Sequence, residues 1–133
     1  MDFKVLQLDH IAIRVKDLEK SAQWYAEILG FKRVQPEEWK PFPIMMIGSN
    51  SGVALFPAKT EKPQPLPEGD WLTAFHFAFR ISRAGLDYAM DHLRSKNIEF
   101  EFQDLIYFHS IYLKDPDGHR VELTAQVREI NDE

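Results

Sequence analysis

Three side chains of this 133-residue chain combine a metal-ligating type with a telling position: His10, His76 and Glu122. DHIAIRV (9–15) and FHFAFRI (75–81) align without a gap, 66 residues apart. His10 matches His76, Ala12 matches Ala78 and Arg14 matches Arg80, with a large apolar residue at every position between. Along an extended chain, successive side chains take opposite faces. Ile11, Ile13 and Val15 then line a packed face, as do Phe75, Phe77 and Phe79, and both imidazoles point the other way. A lone histidine in an apolar strand is more often a hydrogen-bonded core residue, but recurrence at one place in a repeat argues for a shared role. In RVELT (120–124), Val121 and Leu123 supply the packed side, so Glu122 shares the open face with Arg120 and Thr124. Two imidazoles and one carboxylate make a mixed N/O donor set. Such a set suits one divalent first-row cation (Fe, Mn, Zn, Ni and Co all fit) and leaves positions open for water or substrate. The competing role for Glu122 is a buried ion pair with Arg14, Arg80 or Arg120, because an unpaired buried carboxylate is costly.

The other three histidines have less support. His92 falls off the apolar stripe of its helix and is expected in solvent. His119 has the parity of Val121, opposite Glu122, and is expected to support a turn. His109 lies in the aromatic stretch IYFHS (106–110) and is a candidate acid, base or proton shuttle.

These residues need a scaffold, and the chain supplies the same one twice. After the first strand, Asp17 is placed to cap a helix that Gly30 ends, with Leu18, Ala22, Tyr25, Ile28 and Leu29 as its apolar stripe. After the second, Ser82 caps a helix carrying Leu86, Ala89, Met90 and Leu93, which Asn97 can close in the left-handed region. Strands are expected at 32–35, 44–47 and 53–56 in the first half, with GSNSG (48–52) as a hairpin turn. In the second half they are expected at 99–102, 110–114 and 120–125, with DPDG (115–118) as the turn. Between the halves, PAKTEKPQPLPEGD (57–70) carries four prolines and reads as a connector. Each half is therefore strand–helix–three strands, and a sheet covered by one helix keeps its other face free to line a cavity.

Composition narrows the function. Hydrophobic residues at 44% and charged residues at 28% suit a single globular domain. A net charge of −5 argues against nucleic acid and anionic membrane surfaces. With no cysteine there is no disulfide, thiolate metal site or cysteine nucleophile, which fits a cytoplasmic protein. No apolar run approaches about 18 residues, and MDFKVLQLDH does not have the form of a targeting signal.

With LDHIAIRVKDLEKSAQWYAEILGF, FHFAFRI and SIYLKDPDGHRVEL in view, nearly the whole chain resembles the vicinal oxygen chelate superfamily. That superfamily includes glyoxalase I, extradiol dioxygenases, fosfomycin-resistance thiol transferases and bleomycin-binding proteins. The resemblance implies an α+β fold of two tandem βαβββ modules forming a cupped mixed sheet around a metal-binding cleft. Module 1 would span residues 1–56, the connector 57–70 and module 2 residues 71–127. It carries the metal ligands over to His10, His76 and Glu122.

Departures from each branch bear on the reaction. Glyoxalase I proteins add a fourth ligand, a glutamate on the strand before the connector, where VALFPA places Leu55. Fosfomycin-resistance transferases share Ser110 and Tyr112 but carry a threonine where Ala12 stands. Extradiol dioxygenases share Tyr112, ten residues before Glu122, within a pattern that IYLKDPDGHRVE satisfies, but they carry a histidine where Leu105 stands. Bleomycin-binding proteins keep the fold without a metal. The resemblance thus implies a metal-dependent lyase- or dioxygenase-type enzyme for a small oxygen-bearing organic substrate. Thiol transfer to fosfomycin and non-catalytic sequestration of a small molecule are the alternatives. Glu122, Tyr112 and His109 are the expected catalytic residues, and Tyr112, Ser110, Trp39, Phe42, Met46, Tyr107 and Phe108 the expected substrate contacts. One divalent metal ion, a homodimer and no nucleic-acid or membrane partner complete the expectation.

Overall fold

Asp17 and Ser82 start the two helices by the same chemistry. In α1 (Leu18–Leu29) the Asp17 carboxylate accepts the backbone N–H of Lys20 at 3.1 Å, and Gly30 ends the helix at φ 71°. In α2 (Arg83–Ser95) the Ser82 hydroxyl accepts the N–H of Gly85 at 2.9 Å, and Asn97 turns the chain at φ 57°. The computed structural model describes residues 2–130 and divides into two units between residues 64 and 65.

In the first unit β1 (His10–Val15), β2 (Lys32–Val34), β3 (Ile44–Ile47) and β4 (Gly52–Pro57) form one sheet in the order β1-β4-β3-β2. In the second, β5 (Phe77–Arg80), β6 (Glu101–Asp104), β7 (Phe108–Lys114) and β8 (Arg120–Gln126) form another in the order β5-β8-β7-β6. The first strand of each sheet runs parallel to the last, and the other pairs are antiparallel. The fold is therefore α+β with two tandem βαβββ modules, and the sequence repeat is a repeat of topology.

Register fixes which face each residue takes. Leu55 stands between Ile13 and Ile44, and Val53 between Ile11 and Met46. All except Ile11 are buried, together with Tyr25, Ala22 and Ile28 of α1. Arg33, opposite Met46, reaches Glu19 of α1 at 2.9 Å, so this is the helix-covered face. In the second unit Val121, Leu123, Ala125, Ile111 and Leu113 form the matching core beneath Leu86 and Leu93 of α2.

Several local expectations change. The strand expected at 99–102 begins at Glu101, and the one expected at Ser110 begins at Phe108. AFHFAFR is strand only from Phe77, and Phe75 is 71% exposed instead of packing beneath α2. Alternation holds only where the ladder holds the chain extended. Met46, expected in a pocket wall, is fully buried under α1, and Met45 takes the open face with Ala54. Leu55 is likewise a core residue, while Ala54 and Phe56 share the face of His10. Among the described residues no helix is long and apolar enough to cross a membrane.

Candidate metal centre on the second module

Glu122 lies at the centre of the open face of the second sheet. It stands between Ala78 on β5 and Tyr112 on β7, and it is 6% exposed. His76, just before β5, brings Nε2 to 2.9 Å from Glu122 Oε1. The imidazole packs edge-on against Tyr112 and Phe75, with ring centroids 5.6 and 5.1 Å away. Its Nδ1 is buried without a hydrogen-bond partner. Neither Arg80 nor Arg120 pairs with Glu122: Arg80 reaches Gln126 at 3.4 Å and covers Phe108, and Arg120 lies against aromatic rings. Glu122 interacts instead with His76 and with the Tyr112 phenol.

The Tyr112 phenol is held above its usual range, first by burial and then by the adjacent Glu122 carboxylate. A hydrogen bond from Ser110 acts the other way. Tyr112 is therefore a neutral donor near pH 7. Ser110 is fully buried, and its hydroxyl lies 2.7 Å from that of Thr124 across the β7–β8 ladder, so it supports the site from beneath. Phe108 shares this face under the Arg80 guanidinium, 4.9 Å from the ring centroid. Tyr107 lies half-exposed at the β6–β7 turn, with Arg128 over its ring.

His109 does not join them. It is opposite Asp104 in the ladder, 3.5 Å from that carboxylate and edge-on to Phe102, on the helix-side face. An odd step along β7 separates it from Ser110 and Tyr112, so the two sets point oppositely. His109, expected as an acid or base, therefore lies on the face opposite Glu122 and Tyr112. His119 sits in the turn, where its N–H donates to Asp115 Oδ1 at 2.8 Å.

On the first module His10 occupies the open face of β1, with its ring Nδ1 2.7 Å from Asp9 Oδ2. Phe42 packs edge-on to Phe56 of the same face at 6.2 Å, and Trp39, in the short turn Glu37–Trp39, is partly exposed. Among the described residues of either unit, no three His, Asp or Glu side chains gather in one cluster.

The donor pair itself fits a cation. Two ligands about 2.1 Å from one ion, at a right angle, stand about 3.0 Å apart. His76 Nε2 and Glu122 Oε1 have that spacing, which is equally the length of an N–H···O hydrogen bond between them. A ligating imidazole usually gives its other N–H to an outer acceptor, but here the Tyr112 and Phe75 rings orient it instead. Two residues of this surface lay outside the sequence reading of the site: Phe75, assigned to the core, and Arg120, weighed only as a partner for Glu122. The parity that Arg120 shares with Glu122 was the available signal.

Two such modules define an α+β class of tandem βαβββ folds. Residues 7–123 match the Glyoxalase/Bleomycin resistance protein/Dioxygenase superfamily, and the chain belongs to it. It is 27% identical over 116 residues to the glutathione transferase FosA of Serratia marcescens, covering 87% of this chain and 78% of that one. It is 24% identical over 119 residues to the catechol-2,3-dioxygenase of Bacillus subtilis, covering 89% of this chain but 41% of the dioxygenase. The structure of a glyoxylase/bleomycin resistance protein/dioxygenase domain from Frankia sp. EAN1pec has the same fold. Its TM-score is 0.80 at 18% identity, with 96% of each chain covered.

Proposed function

We propose that this chain is a divalent-metal-dependent enzyme acting on a small oxygen-bearing organic substrate by lyase- or dioxygenase-type chemistry. The observation that carries this reading is the buried Glu122 carboxylate, which takes His76 Nε2 at 2.9 Å and no arginine. His76 and Glu122 would hold the cation, and His10, the counterpart of His76 in the repeat, would be its third protein ligand. Bound there, a cation would supply Lewis-acid polarisation of a substrate oxygen. The chain's own part is binding and orientation. Tyr112, kept neutral by burial and by Glu122, gives its one O–H to Glu122 and would turn it to a substrate oxygen arriving at the pair. The membership of a superfamily that contains dioxygenases, and the relatives named above, support this reading.

The test is elemental analysis of protein purified without chelator, beside His76→Ala and Glu122→Gln. About one equivalent of metal is expected in the wild type, with strong loss in both variants. A wild type without metal, or variants that keep it, would overturn the reading. The Serratia relative favours a second one, thiol transfer to fosfomycin, to which Ser110 and Tyr112 also conform. Thiol consumption in the presence of fosfomycin and Mn(II) is the discriminating measurement.

A further inference from the structure

Arg120 is a cation without an anion. It opens β8 on the face of Glu122, and its guanidinium carbon lies 4.7 Å from the Tyr112 ring centroid and 5.0 Å from that of Phe75. Its Nε is buried and bonds nothing. Among the described residues no carboxylate pairs with it, because each nearby acid is engaged elsewhere. Glu122 takes His76 and Tyr112. Glu101, across the ladder from Tyr112, accepts from Gln103 Nε2 at 3.0 Å. Asp115 accepts the backbone N–H groups of Asp117 and His119 at 3.0 and 2.8 Å.

Directly opposite Arg120 in the β7–β8 ladder stands a second cation, Lys114. Like charges opposed on one face weaken a ladder. A buried guanidinium N–H with no acceptor is costly as well. Both costs fall at one end of the surface that carries His76 and Glu122, and an oxyanion between Lys114 and the guanidinium would relieve the like-charge opposition. A guanidinium pinned between two rings presents its donors in a fixed plane, which matches carboxylate and phosphonate oxygens.

We propose that Arg120 and Lys114 form an oxyanion subsite for the acidic group of the substrate, a carboxylate or a phosphonate. The proposal rests on the His76–Glu122 pair being the reacting centre: the acid anchors one end of a small molecule while its other oxygen function reaches the pair. The substrate is then an organic acid rather than a neutral catechol or aldehyde adduct.

The experiment titrates the full chain, as purified and after chelator treatment, with acetate and with methylphosphonate, followed by calorimetry and by amide spectra that also report folding. Saturable binding of at least one anion is expected even without metal, and which one binds identifies carboxylic or phosphonic acids. Arg120→Gln is expected to weaken it about tenfold or more. Lys114→Ala, at an exposed position, is expected to weaken it several-fold, and Arg94→Gln on the surface of α2 leaves it unchanged. Binding by neither anion overturns the proposal, as does binding that Arg120→Gln and Lys114→Ala leave intact. Mn(II) uptake measured on the same proteins separates the two readings. Anion binding by a wild type that takes no Mn(II) supports the subsite and defeats the metal reading. Mn(II) uptake without anion binding does the reverse.

Discussion

Glu122 is the residue on which the site turns, and its neighbours show what its burial requires. Removing the His76 imidazole leaves a buried carboxylate with one donor fewer, so His76→Ala is expected to destabilise the metal-free protein by about 1–3 kcal/mol in urea denaturation. Tyr112 adds a dependence on pH. Its phenol binds its proton more tightly when folded, since its range lies above the ordinary 10.0. The stability this contributes is present below about pH 10 and is lost as pH rises through the folded value. Tyr112→Phe should flatten the alkaline limb of the stability curve, measured by urea midpoints between pH 8 and 11. A limb unchanged in the variant would assign it to other groups. Strand parity made the shared face of Glu122, Arg120 and Thr124 legible from sequence, whereas Tyr112 rested on the family resemblance and His109 was kept as a candidate although it is out of phase with Tyr112 on the same strand. Phe75 was illegible because alternation was extended past Phe77, where the ladder stops. Arg120 entered the sequence reading only as an alternative partner for Glu122, and its guanidinium lies against the rings of Phe75 and Tyr112 instead.

At the scale of elements, caps and turns carried most of the sequence information, because their chemistry is local. Asp17 and Ser82 each satisfy an orphan N–H of a helix, and replacing either with alanine is expected to cost about 1 kcal/mol. Met46 and Leu55 show what local chemistry cannot supply. Both were apolar and near a loop, and only the pairing of β3 with β4 assigns them to the helix-covered face. That pairing depends on Gly52, where an added Cβ would stand 2.3 Å from the Met46 carbonyl oxygen. Gly52→Ala should therefore shift the hairpin and lower stability by about 2–3 kcal/mol in denaturant titration. The Arg33–Glu19 pair, which ties β2 to α1, is exposed, so Arg33→Gln should cost only a few tenths to about 1 kcal/mol at pH 7. Arg33 holds the Glu19 carboxyl below its ordinary range, mainly through their hydrogen bond. That contribution is present above about pH 4.5 and fades as pH falls through the folded value, so variant and wild type should converge in acid.

Across the whole molecule, duplication explains why so much was readable: DHIAIRV and FHFAFRI are matching strands of two sheets with the same order and direction. Each module has its own helix and core, so each offers one open face, with His10 on the first and His76 and Glu122 on the second. A cation bound only by the native chain stabilises it by about 2.7 kcal/mol at a hundredfold excess over the dissociation constant, and each tenfold loss of affinity removes about 1.4 kcal/mol. Calorimetric melting should then show a transition that moves up as Mn(II) is added. His10→Ala should shrink that shift as strongly as His76→Ala does, although the first change lies on an exposed side chain and the second within the second module. If His10→Ala leaves the metal-dependent shift intact while His76→Ala removes it, the cation belongs to the second module alone and His10 serves another purpose.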